Sequence, residues 1–202
     1  LRNMSRIAVL VAAVVVAACA PSPSLSSSPS PSPVSSVAPA ASQTQGASAA
    51  PSAGSGLPLD SDPLHGVELF DVNTQTGFTL GALAAQRPVL LEMMAIWCTN
   101  CRAQQREVVA AHELAVFDSV SLDIDPNERP GDLAAYSADM GFGWRFALAN
   151  QTLAAALRDR FGPAVLNPPS TPMILLFPDG SVRALEFRAY SATELAAEIA
   201  AG

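Results

Sequence analysis

The hydrophobic pattern turns on one stretch, Pro88–Ile96 (PVLLEMMAI), which is apolar at nearly every position and interrupted by a single charge, Glu92. A run of that length without alternation predicts a strand buried on both faces. Ahead of it, GVELFDVNTQTGFTLGAL alternates and breaks at Asn73–Gly77, the pattern of a β-hairpin. After it, Cys98 to about Leu114 is rich in Ala, Gln, Arg and Glu and predicts a helix. VFDSVSLDID predicts a second strand, GDLAAYSADM a helix closed by Gly141, and FALA a short strand. In QTLAAALRDRFG, Leu153, Leu157 and Phe161 recur at i, i+4 and i+8, with Gly162 at the end, which predicts another helix. MILLF, PDG and SVRALEF predict strand, turn and strand. A last helix runs from Ser191 to Ala200, with Ser191 and Glu194 spaced as a capping box. Strands and helices alternate through the middle and a hairpin closes the sheet, so the class is α/β, a mixed sheet flanked by helices.

The pattern stops upstream of residue 60. All eighteen acidic residues lie at or beyond Asp60, with all but two of the eleven arginines. The two exceptions, Arg2 and Arg6, precede an uninterrupted small and apolar run from Ile7 to Ala18. That run is shorter than the roughly twenty residues needed to cross a bilayer, and fits a secretory signal peptide over residues 1–18. It ends in Val16-Ala17-Ala18-Cys19, which resembles the lipobox of bacterial lipoproteins. The resemblance implies cleavage before Cys19, lipidation of its thiol and attachment to a lipid bilayer. Residues 19–59 continue in Pro, Ser and Ala, a composition unable to bury a core, and read as a disordered tether spanning on the order of 35 Å. Residues 60–202 form the folded domain.

Charge and composition exclude several functions. The net charge is −7 and no basic cluster is present, so nucleic acid is an unsuitable partner. All cationic side chains are arginines. Without lysine, Schiff-base chemistry and a P-loop are excluded. Three cysteines are present. With Cys19 assigned to lipid, only Cys98 and Cys101 remain to the domain, in AIWCTNCRAQQ. A structural zinc site needs four ligands. His65 and His112 stand far apart in sequence and out of ligand spacing, so no metal is expected. Redox chemistry fits better. Cys98 falls where a buried strand passes into a helix, and the free N–H groups and dipole of the first turn favour a thiolate. Only a thiolate attacks a disulfide, which makes Cys98 the nucleophile and Cys101, one turn on, the resolving thiol.

Trp97-Cys98-Thr99-Asn100-Cys101 resembles the WCxxC core of thioredoxin-fold proteins, and within them the TlpA/ResA-like, membrane-tethered thiol–disulfide oxidoreductases. Glu92 lies six residues before Cys98, at the offset where thioredoxin carries a buried Asp and this group often a Glu. A carboxyl flanked by Leu91, Met93 and Met94 should have a raised pKa and suit proton exchange with Cys101. Thr171-Pro172, directly before MILLF, resembles the cis-proline loop that packs against CxxC and pairs with an extended substrate. The N-terminal hairpin and the helix–strand unit around Gly131–Ala149 resemble features of the same group.

The resemblance implies a thioredoxin-like fold with a central helix–strand insertion and a redox-active Cys98–Cys101 disulfide. It also implies a docking surface at Trp97, Thr171 and Pro172, with no cofactor. The partners it implies are disulfide-bearing exported proteins such as apocytochrome c, and a membrane electron donor of the CcdA/DsbD type. The expected setting is the extracytoplasmic face of a bacterial membrane, the protein being a monomer. Two departures stand out. Arg106 occupies the place of a helix-kinking proline, and Thr99-Asn100 offers no cation to acidify Cys98 strongly, so a reducing pair is expected. Ala95 stands where peroxiredoxins carry Thr or Ser, and Ala154–Pro169 holds no histidine for a Sco-type copper site. DIDPNERPGD (Asp123–Asp132) lacks the glycine and terminal acid of a calcium loop and reads as a solvated loop near the redox face. Two alternatives remain: a thioredoxin-like binding module without turnover, and an oxidase with reversed electron flow.

Overall fold

The computed structural model describes residues 62–202. The expected signal peptide (1–18), Cys19, the tether (19–59) and the domain's start at residue 60 lie outside the described residues.

The chain enters through a one-turn helix α1 (Pro63–Gly66), capped by the Asp62 side chain. β1 (Glu68–Asp71) and β2 (Thr76–Thr79) follow as the expected antiparallel hairpin. Its turn is closed by Gln75 at φ 59°, whose amide donates to the Val72 carbonyl. A short α2 (Leu80–Ala84) leads into β3 (Val89–Met94), where all six residues are buried. α3 (Thr99–Ala111) and β4 (Asp118–Asp123) complete a parallel βαβ unit on β3. α4 (Pro130–Met140), ended by Gly141 in the left-handed conformation, delivers β5 (Arg145–Leu148) parallel to β4. α5 (Gln151–Phe161) crosses to β6 (Met173–Leu176), antiparallel to β3, and β7 (Val182–Ala184) pairs back on β6. α6 (Ala192–Ala200) closes the chain with the predicted capping box.

The main sheet has the order β5-β4-β3-β6-β7, which puts β3 at its centre. Period-two alternation then divides the central strands between two helical layers. Val89, Leu91, Met93, Val120 and Leu122 meet Leu64, Leu80, Leu153 and Leu157 of α1, α2 and α5. Leu90, with Met173 and Leu175, meets Val108 of α3 and Leu195 of α6. Met94 joins Cys98, Cys101, Leu133, Tyr136 and Phe146 where α3 and α4 pack. The α4–β5 segment is the expected insertion, and it places β5 at one edge of the sheet. The hairpin anchors beside that edge, the Val72 N–H donating to the Phe146 carbonyl at 2.9 Å.

Four short features escaped the sequence pattern: α1, α2, and 3-10 turns at Pro163–Leu166 and Pro168–Ser170. Each spans too few residues to show a period. SVRALEF contributes only three residues to β7, the rest leaving the sheet. α3 runs without interruption through Arg106.

Candidate active site

β3 ends at Met94, and Ala95–Trp97 turn the chain into α3. Cys98 is the N-cap, with extended backbone, and its sulfur accepts from the Cys101 N–H at 3.1 Å. Cys98 and Cys101 are joined by a disulfide across a Cα–Cα separation of 5.3 Å. An N-cap side chain sits against the unpaired N–H groups of the first turn, where negative charge is stabilised. A thiolate at Cys98 inherits that stabilisation when the bond is reduced. This is a CxxC dithiol/disulfide site. Cys98 is 2 % exposed in the oxidised state, while its neighbour Trp97 is 57 % exposed.

Asn100, between the two cysteines, has a structural task. Its amide donates to the Pro169 carbonyl at 2.8 Å and ties the proline turn to the start of α3. The neighbouring Pro168 carbonyl lies 3.2 Å from the Cys101 sulfur, so a reduced Cys101 thiol has an acceptor waiting. A carbonyl in that place favours the thiol over the thiolate.

The proline segment differs from the expectation in one respect. No peptide bond among the described residues is cis, and Thr171–Pro172 is trans. The reversal is made by Thr171 itself, at φ 49° and ψ 56°, an uncommon conformation for a β-branched residue. Thr171 and Pro172 are buried beside the CxxC turn, and the Pro172 carbonyl accepts from Met93 N–H at 3.0 Å. The loop and the end of β3 are therefore joined by the sheet ladder.

Glu92 is 3 % exposed, in the middle of β3. Burial pushes its carboxyl up to about 8, outweighing the stabilising hydrogen bonding of Gln105 and Ser121. Its Oε2 accepts from the Ser121 hydroxyl at 3.2 Å, whereas Oε1 is buried with no hydrogen-bond partner. Gln105 lies one turn beyond Cys101 on α3. It donates to Ser121 and accepts from the Tyr136 hydroxyl at 2.6 Å. The Arg102 guanidinium stands over the Tyr136 ring, 5.7 Å from its centroid.

A second acidic group flanks the site. Asp123, at the end of β4, is 1 % exposed, and burial together with the adjacent Glu128 carboxyl raises its pKa. Glu128 accepts from the Ile96 N–H at 3.0 Å with both oxygens. Asp125 accepts from the Trp97 indole at 2.7 Å. The loop expected to be solvated thus lies at the redox face as anticipated, but two of its carboxylates bind the CxxC turn and a third is buried. Sequence reasoning missed Gln105, Ser121, Asp123 and Glu128. One signal was there: Ser119, Ser121 and Asp123 alternate with apolar residues in a strand that the fold buries on both faces.

No family model matches the chain, and no curated protein matches it. Solved structures do. DsbF of Mycobacterium tuberculosis superposes with a TM-score of 0.54 at 16 % identity, over 72 % of this chain and 98 % of that one. A thioredoxin-family thiol:disulfide interchange protein of Chlorobium tepidum gives 0.55 at 14 % identity, over 67 % and 91 %. A secreted thiol-disulfide isomerase of Corynebacterium glutamicum gives 0.54 at 14 % identity, over 66 % and 80 %. The fold is thioredoxin-like. At these identities the likeness speaks for the architecture alone, and the chemistry must be argued from the thioredoxin-like domain's own residues.

Proposed function

We propose that the domain is an extracytoplasmic thiol–disulfide oxidoreductase of the TlpA/ResA-like kind, working as a reductant of exported proteins. The observation that carries the reading is the Cys98–Cys101 disulfide at the N-cap of α3. In the reduced protein, the Cys98 thiolate attacks a substrate disulfide. One substrate sulfur leaves as a thiolate and the other stays bonded to Cys98. Cys101 then gives its proton to the Glu92 carboxylate, directly or through water, and its sulfur attacks Cys98. The second substrate sulfur leaves with the electron pair, and the Cys98–Cys101 bond closes. Two electrons have passed to substrate, and an external dithiol must return them.

Trp97, exposed beside Cys98, and the Thr171-Pro172 segment form the docking surface in this reading. Cys19 holds the domain to the membrane through its lipid, with residues 19–59 as the tether. A CcdA/DsbD-type donor recharges the pair, and apocytochrome c is a candidate substrate. The test is capture of mixed disulfides by a Cys101→Ser variant in the native cell. Recovery of a membrane electron donor together with cytochrome apoproteins supports maturation; a broad catch of exported proteins points to general reduction. The near-complete cover over Cys98 favours a second reading, a binding module with a structural disulfide. Failure to accelerate insulin reduction by dithiothreitol would select it.

A further inference from the structure

The Ser121 hydroxyl is surrounded more fully than one hydroxyl normally is. The Gln105 amide donates to it at 3.2 Å and the Trp144 indole N–H at 2.9 Å, while it stands 3.2 Å from Glu92 Oε2. The Gln105 amide is oriented by Tyr136, whose O–H takes its carbonyl oxygen and leaves the NH₂ facing Ser121. A hydroxyl has two lone pairs and one hydrogen. Two N–H donors occupy the lone pairs, so the single hydrogen is left for Glu92 Oε2. That oxygen is then an acceptor in either protonation state. Oε1, the buried oxygen without a partner, is then the oxygen left free to take the exchangeable proton.

We infer that Ser121, held by Gln105 and Trp144, is a positioning residue that confines the exchangeable proton of Glu92 to Oε1. The inference rests on Glu92 acting as the proton carrier for Cys101, and extends it. In the resolving step the Cys101 S–H bond breaks, an O–H bond forms at Oε1, and the Ser121–Oε2 bond persists throughout. Because Trp144 donates to the same hydroxyl, its indole N–H senses the charge on Glu92. Trp144 lies between α4 and β5 in the inserted segment, so the insertion reaches the proton site through it.

The other charged groups nearby are few and distinguishable. From α3 come Arg102 and Arg106, and from α4 Tyr136, whose phenol is raised by burial first and by Glu92 in lesser part. Met173 of β6 stands opposite Glu92 in the ladder and does not titrate. Asp123, two residues along β4, is raised by burial into the same range, so Glu92→Gln, not the pH window, tells the two carboxyls apart. His112, whose ring centroid is 5.9 Å from that of Trp144, is lowered by burial from the ordinary histidine value. It therefore titrates below the range in which Glu92 does. In the oxidised protein neither Cys98 nor Cys101 titrates.

The test is a titration of the oxidised full chain from pH 5 to 10, following the Glu92 carboxyl by ¹³C NMR and both indole N–H signals by ¹⁵N NMR. Trp97→Phe identifies the second signal, and circular dichroism checks that each variant folds. The Trp144 signal is expected to follow the Glu92 titration above neutral pH, to lose that step in Glu92→Gln and Ser121→Ala, and to keep it in Ser121→Thr. Ser121→Ala should also move the Glu92 midpoint upward, by about 1 pH unit for a lost hydrogen bond to the charged form. A Glu92 carboxyl that titrates above neutrality while Trp144 stays still overturns the inference and leaves the proton-carrier reading intact. A Glu92 carboxyl that ionises at ordinary carboxylate pH overturns both.

Discussion

The two faces of the central strands are built on opposite plans. Toward α1, α2 and α5, β3 and β4 present Val89, Leu91, Met93, Val120 and Leu122, all buried and apolar. Toward α3, α4 and α6 the same strands present Glu92, Ser119, Ser121 and Asp123 among Leu90 and Met94, and all four polar side chains are buried. The first face removes apolar area from water, which favours folding. The second buries groups that must be hydrogen-bonded or neutralised, which opposes folding unless each finds a partner. Two of them leave an oxygen without a partner, Glu92 Oε1 and Asp123 Oδ2. Buried carboxyls of this kind are what the proposed proton exchange would use.

The comparison breaks most visibly at Cys98. Cys98→Ser is expected to reduce disulfide exchange to the uncatalysed rate in the insulin assay, with little change in the unfolding midpoint measured in reducing buffer. Leu91→Ala, on the apolar face, should do the reverse. It should lower unfolding free energy by about 2–5 kcal/mol in urea titrations while leaving the pH profile of exchange in place.

The carboxyl face also makes stability depend on pH, with a definite sign. Glu92 has its folded pKa raised from 4.5 to about 8, so between those values the native state holds a proton that the unfolded chain has lost. Stability therefore falls as pH rises through that window and levels off above it. The full effect is on the order of 5 kcal/mol. Asp123, also raised, acts in the same direction. Urea midpoints should drop between pH 5 and pH 8, and Glu92→Gln should remove part of the slope, with Glu92→Gln/Asp123→Asn removing more. A wild-type profile flat across that window would contradict the burial of both carboxyls. The smallest expected effect lies away from both faces: Ser191→Ala should cost about 1 kcal/mol by removing the α6 capping box, with exchange unchanged.

Much of this was legible beforehand, for identifiable reasons. β3 announced itself because a strand at the centre of a sheet is apolar throughout. α5 and α6 did so because their buried residues recur at helical spacing, with a glycine or a capping box at one end. The CxxC pair was visible because its chemistry needs a fixed spacing within one helical turn. The partners of Glu92 were not visible, since Ser121 lies 29 residues away, Gln105 on another element and Tyr136 on a third. Nor was the trans bond at Thr171–Pro172, because the isomer depends on what packs around the turn.

The sequence by itself determined the order of elements, the mixed sheet and the placing of Cys98 at a helix start, since these follow from local period, caps and spacing. Tertiary structure alone decided which polar side chains meet inside the domain. Burial turns a serine, a glutamine, a tyrosine, a tryptophan and one acid into one connected network only when strands and helices distant in sequence are packed together, and no local pattern carries that information.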